Sequence, residues 1–248
     1  MMKVKGVILC GGEGKRLRPL TYYFQKTMIP IGSKQKPLLE YIVKLFRYNN
    51  IRDLVFLVGY KSEQIRNYFE DGSRFGVRIE YIEDPPGMKG SGHALLNAYR
   101  EGLLNDASDI LVYYGDIISD INLIELMKLH NSHSAFATLA VAEKYQVPVG
   151  VAEMEGDIVR GLVEKPWLDL KVTIGILALA IDTMEVLRDI AEGKKELDIM
   201  GDFIPAIINR GLKVVAYKHK GFWYDVGTTE KYEKLDNNII DKLYQEIS

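Results

Sequence analysis

Residues 6–21 read Gly-Val-Ile-Leu-Cys-Gly-Gly-Glu-Gly-Lys-Arg-Leu-Arg-Pro-Leu-Thr, and this stretch limits the fold more than any other. Its apolar start has the length of a buried strand. It empties into a loop holding Gly11, Gly12 and Gly14, with Lys15, Arg16 and Arg18 interleaved. Glycines let backbone N–H groups approach an anion with no side chain in the way. Cations beside them neutralise phosphates. A plain turn needs bend residues, not this combination. It predicts a nucleoside triphosphate site at the C-terminal end of the first strand of an α/β sheet. Two glycine motifs are excluded. Leu17 stands where the third glycine of a dinucleotide fingerprint belongs, and Leu9 and Arg16 break a P-loop.

Strand and helix patterns then alternate. Leu38, Leu39, Ile42, Val43 and Phe46 form one apolar helix face after Pro37. Asp53–Val58, Arg78–Ile82 and Asp109–Tyr114 read as strands. Helices are expected from Ser62 to about Phe69 and from Gly90 to Leu104. In the second half, Asp120 is expected to cap a helix through Leu129, and Glu155-Gly156-Asp157 to turn a hairpin. Strands follow at Val172–Ile181 and Leu212–Lys218. Asp182 and Asp202 are expected to open helices, and Thr228 to Ile247 to form one more. The expected fold is a Rossmann-like three-layer α/β/α sandwich with a mostly parallel central sheet. With no Pro-, Gly- or Ser-rich linker, residues 1–248 are expected to be one domain. Residues 1–120 would hold the nucleotide, and 121–248 would supply the sugar side and a C-terminal helix.

The pattern G-G-x-G-x-R-L-x-P-L-T at Gly11–Thr21 resembles the signature of the sugar-1-phosphate nucleotidyltransferases, glucose-1-phosphate thymidylyltransferase-like or mannose-1-phosphate guanylyltransferase-like. The resemblance extends from Lys3 to about Asp225. Some members carry an appended C-terminal β-helix; this sequence is expected to correspond to the short form without it. The resemblance implies transfer of a nucleotidyl group from an NTP to a sugar 1-phosphate, with Mg²⁺ as cofactor and pyrophosphate as second product. Two polyanions meet in such a reaction, so cations, backbone donors and carboxylate-held Mg²⁺ are required. The attacking phosphate is already ionised, and no catalytic His is needed. His93, His130, His133 and His219 lack metal-ligand spacing and are read as non-catalytic.

The candidate nucleotide-binding residues are Leu9, Gly11, Gly12, Gly14, Lys15, Arg16, Asp84, Gly90 and Ser91, with Asp84 as acceptor for a base N–H. Uracil and thymine offer one such group, and guanine more. Asp116 follows a buried strand and Gly115, where α/β ligands bind. Asp225 lies in Trp223-Tyr224-Asp225-Val226-Gly227-Thr228, similar to the family's W-x-D-V-G-T. The resemblance makes Asp116 and Asp225 the Mg²⁺ ligands. Lys26 matches the lysine of the family's P-K-P-M, but Gln25 and Thr27 replace its prolines, predicting a less stiff loop. Glu164 and Lys165 match the pair on sugar hydroxyls and sugar phosphate; Gly150 and Thr173 complete that side. The family usually has Tyr and Asn where Val149 and Thr173 stand. Arg16, Lys26, Asp116 and Lys165 are the candidate catalytic residues.

Composition narrows the alternatives. A net charge of −2 without a basic aromatic stripe argues against nucleic acid or a membrane surface as partner. A single cysteine, Cys10, excludes an internal disulfide and fits a reducing compartment. No signal segment or membrane span is legible, so a cytoplasmic location is expected. A homo-oligomer is compatible with this reading. Two alternatives stay open: a non-catalytic subunit that senses nucleotide sugar, and transfer to a non-hexose phosphate. The base and the sugar are also open, with dTTP, UTP or GTP and glucose 1-phosphate or mannose 1-phosphate favoured.

Overall fold

The apolar run after Lys3 becomes strand β1 (Val4–Cys10) at the centre of a seven-stranded sheet. The computed structural model describes residues 3–247. The other strands are β2 (Asp53–Val58), β3 (Arg78–Glu83), β4 (Asp109–Tyr114), β5 (Ala137–Ala142), β6 (Val172–Ala180) and β7 (Val214–His219). Their spatial order is β7-β5-β6-β4-β1-β2-β3, and only β6 runs antiparallel to its neighbours. Strands from both halves of the sequence therefore share one sheet.

Alternation along β1 sends Ile8 and Cys10 to one face and Val7 to the other. Helices α1 (Leu38–Tyr48), α2 (Ser62–Phe69), α4 (Leu123–Ser132) and α8 (Asn237–Glu246) cover the first face. Helices α3 (Ser91–Arg100), α5 (Thr183–Ala191) and α6 (Ile204–Asn209) cover the second. All five apolar positions of the expected α1 face are fully buried. Burying one such side chain contributes roughly 1.5–3 kcal/mol, which fixes α1 against β1. The result is the expected three-layer sandwich. Among the described residues no helix is long and apolar enough to cross a membrane.

Local expectations fail where two polar residues compete for one cap. Asn122, not Asp120, caps α4 by accepting from the Glu125 N–H at 3.0 Å. Asp120 instead pairs with the buried His219 ring at 3.1 Å. Asp198, not Asp202, caps the π-turn Ile199–Phe203 that leads into α6. The terminal helix divides into α7 (Thr229–Glu233) and α8, because Asp236 caps α8 by accepting from Asn238 N–H at 2.8 Å. Ser62 lies inside α2 after Lys61, and α3 is shorter than expected.

Candidate active site

The sheet changes winding direction at β1, with β2 on one side and β4 on the other. Loops leaving the carboxyl ends of such neighbouring strands diverge and open a crevice. Here it is a cavity of about 260 Å³ whose wall includes Leu9, Gly11, Gly12, Lys26, Asp84 and Asp116, with Gly90 and Ser91 closing it from α3. Gly11 is required by Asp84: a Cβ there would stand 2.5 Å from Asp84 Oδ2. Asp84 reaches solvent at the mouth yet leans on the wall, and desolvation pushes its carboxyl above the usual range. Ser91 Oγ donates to Asp198 Oδ2 at 2.7 Å and accepts from Ile199 N–H at 2.9 Å. Asp198, from the second half of the chain, thus holds the wall of the first.

A second cavity of about 330 Å³ lies alongside, lined by Glu13, Gly14, Lys15, Arg16, Lys26 and Gly227. Lys26 borders both. Gly14 takes a left-handed φ of 63°, and its carbonyl accepts from Leu17 N–H and Thr21 Oγ, both at 2.9 Å. That turn lifts Lys15 and Arg16 to the rim. A cationic rim next to a glycine-lined cavity is suited to a polyphosphate.

The loop carrying Lys26 is stiffened by hydrogen bonds in place of prolines, correcting the expectation of slackness. Gln25 is fully buried. Its Oε1 accepts from the Thr27 N–H at 2.6 Å and the Thr27 hydroxyl at 2.7 Å. Its Nε2 donates to the Cys10 carbonyl, tying the loop to the end of β1. Cys10 is itself buried, and desolvation pushes its thiol far above the ordinary range, so it is inert.

Asp116 and Asp225 are separated by more than a hundred residues, and their segments are joined by a short antiparallel ribbon. Trp223–Asp225 pairs with Ile117–Ser119, Asp225 opposite Ile117, and Val226 N–H donates to the Asp116 carbonyl at 2.8 Å. Each carboxylate holds a lysine: Asp116 pairs with Lys26, and Asp225 Oδ2 lies 2.6 Å from Lys231 Nζ. Lys231 was not legible as a site residue. It is the third residue of the five-residue helix capped by Thr228, whose hydroxyl accepts from its N–H at 3.2 Å. Among the described residues no three His, Cys, Asp or Glu side chains group as a metal site. Two carboxylates supply the hard oxygen donors that Mg²⁺ prefers, with its other positions left to phosphate and water. The pair fits that ion.

The expected sugar side is arranged differently. Gly150, Glu164, Lys165 and Thr173 are exposed, and none lines either cavity. Gly150 lies against Glu164, whose Oε2 would be 3.0 Å from an added Cβ. Lys165, at φ 47°, donates its N–H to the Val149 carbonyl at 3.2 Å. Thr173 pairs with Val141 in the sheet, two residues before Gly175 passes closely over Tyr114. The histidines have structural partners: Lys194 carbonyl for His93, Thr138 and Asp109 for His130, Leu129 carbonyl for His133, Ser119 and Asp120 for His219.

A family model described as nucleotidyl transferase matches residues 5–242. The UTP–glucose-1-phosphate uridylyltransferase of Synechocystis sp. is 30% identical over 252 residues, covering 96% of this chain and 64% of that protein. The mannose-1-phosphate guanylyltransferase of Mycobacterium tuberculosis is 30% identical over 249 residues, covering 96% and 65%. This chain thus spans about two thirds of the length of each of these relatives, or slightly less. A crystal structure of a putative glucose-1-phosphate thymidylyltransferase from Bacillus anthracis in complex with a sucrose superposes with a TM-score of 0.73 at 23% identity, covering 96% of this chain and 94% of that one. The chain belongs to the nucleotidyl transferase family.

Proposed function

We propose that the chain transfers a nucleotidyl group from an NTP to a sugar 1-phosphate and releases pyrophosphate. The observation that carries this reading is the backbone pairing of the Asp116 and Asp225 segments, with Lys26 held on Asp116, beside the glycine-lined end of β1. The first cavity would take the nucleoside, with Asp84 accepting from a base N–H and Gly90 and Ser91 backing the base. Gly11, Gly12, Gly14, Lys15, Arg16 and Lys26 would hold the triphosphate. Asp116 and Asp225 would hold Mg²⁺, which supplies charge neutralisation and alignment when bound. An oxygen of the sugar phosphate attacks the α-phosphorus, the bond to the β-phosphate bridging oxygen breaks, and pyrophosphate leaves from the side opposite attack. Arg16 and Lys26 would balance the charge that develops on the departing group.

Lys165 would bind the sugar phosphate and Glu164 the sugar hydroxyls, with Gly150 and Thr173 at the edge of that subsite. Residues 1–120 would then serve the nucleotide and 121–248 the sugar, in one domain. The acceptor is proposed to be glucose 1-phosphate or mannose 1-phosphate and the donor dTTP, UTP or GTP, in a cytoplasmic setting that supplies both. The test crosses each NTP with each sugar phosphate and reads pyrophosphate. Release from one pairing, abolished by chelation, is the expected result. Binding of nucleotide sugar without release from any pairing would replace the enzyme by a sensing protein.

A further inference from the structure

Helix α7 has five residues, and two of them, Thr229 and Lys231, reach two parts of the proposed site. The Thr229 hydroxyl lies 3.2 Å from the Arg18 carbonyl and 3.4 Å from that of Arg16, which ties α7 to the cationic loop. Glu230 between them pairs with Lys234 of the same segment. Lys231 binds one oxygen of Asp225. The other oxygen, Oδ1, lies 2.6 Å from where a Cβ on Gly227 would stand, and Gly227 lines the cavity that holds Lys15, Arg16 and Lys26. Lys231 therefore holds the carboxylate proposed for the metal, beside a glycine that lines the proposed triphosphate cavity.

The two lysine–carboxylate pairs differ. In the Lys26–Asp116 pair both side chains are largely enclosed, 18% and 17% exposed. In the Lys231–Asp225 pair they reach solvent, 40% and 27% exposed. An ion pair open to solvent is held weakly. A lysine ammonium is a compact charge on a flexible stem and can change partner by rotation alone. A divalent cation arriving at Asp225 brings twice the charge to the same oxygens.

We propose that Lys231 is an exchangeable counter-ion. It neutralises Asp225 until the divalent cation arrives, then yields the carboxylate and turns onto a phosphate oxygen of the NTP. This rests on the proposed function, which supplies both the cation and the triphosphate. No residue with this role is implied by the signature motifs, and it makes Lys231 a triphosphate ligand specific to the loaded state.

The test is a Mn²⁺ titration followed by electron paramagnetic resonance, without nucleotide, on wild type, Lys231→Ala, Lys231→Arg and Asp225→Asn. Lys231→Ala is expected to bind Mn²⁺ roughly threefold to fivefold more tightly, because its competitor is gone. Lys231→Arg should stay within about twofold of wild type, and Asp225→Asn should bind more than about tenfold more weakly. In steady state, Lys231→Ala should raise KM for NTP by roughly tenfold and leave KM for the sugar phosphate unchanged. Unchanged or weaker Mn²⁺ binding by Lys231→Ala, with Asp225→Asn impaired, overturns the exchange and leaves the proposed function standing. An unchanged KM for NTP overturns the transfer to phosphate. Equal Mn²⁺ binding by wild type and Asp225→Asn removes the ion from this carboxylate, and the metal assignment falls together with the exchange.

Discussion

The carboxyl ends of β1 and β4 and the hairpin at 151–163 are built on opposite plans. Both strands are buried along their length, so Gly11, Gly12 and Asp116 are placed by the core itself. The hairpin lies outside the main sheet, as its own two-stranded ribbon, and Met154, Ile158, Val159 and Leu162 are all more than half exposed. Phosphate and metal chemistry is common to many donors and acceptors, and in the proposed function it would hang from these buried strand ends. Recognition of the second substrate would hang largely from residues beside the exposed hairpin. A fold divided in this way can keep one reaction and vary what it acts on.

That contrast can be broken by substitution. The largest effect is expected on the constrained side. Asp116→Asn should lower kcat on the order of 10³-fold with an unchanged unfolding transition; retained turnover would show that the core-placed carboxylate is idle. Lys165→Ala should act through one substrate only, raising KM for sugar phosphate roughly tenfold to a hundredfold while KM for NTP stays within about twofold. Equal changes in both would erase the division. Gln25→Ala leaves the Thr27 N–H and the Cys10 carbonyl without their partner and should cost about 1–3 kcal/mol in urea unfolding; a smaller loss would mean that water replaces the clamp.

Two effects of pH are smaller. Burial opposes the Asp120 charge, but the His219 ring and the Phe222 backbone outweigh it and hold the carboxyl below its usual range. Its contribution to stability is therefore complete above the unfolded value, about 3.9, and is lost as pH falls through the lower folded value. Asp120→Asn should flatten the acid limb of a pH–Tm curve. Asp84 has the opposite sign: burial raises its carboxyl, so its contribution is complete below the unfolded value and lost as pH rises through the folded one. Asp84→Asn should raise Tm at neutral pH by less than about 3 °C while weakening NTP binding. A fall in Tm would show that the carboxylate is structural.

Long apolar periods were legible because they bury whole faces, and β2 and β4 end where the sequence places them. Caps were not, because Asp120, Asn122, Asp198 and Asp202 are equivalent to a local reading, and tertiary partners decide among them. His219 takes Asp120, and Ser91 takes one oxygen of Asp198. In the proposed site, candidates could be named where a contiguous motif carries them, whereas Gln25 acts through Cys10 on another segment and Lys231 reaches Asp225 from just outside its motif. The replacement of two prolines by Gln25 and Thr27 reads as loss of stiffness until the Cys10 carbonyl is seen to close the clamp.

Carboxylates from two distant segments are proposed to serve one ion at the end of β4. Pyrophosphate release by Asp116→Asn, Asp225→Asn and the double variant tests it most directly, because groups that act as a unit are not additive. The double variant is expected to fall within about threefold of the worse single one. Losses that multiply, or turnover surviving in the double variant, would contradict it.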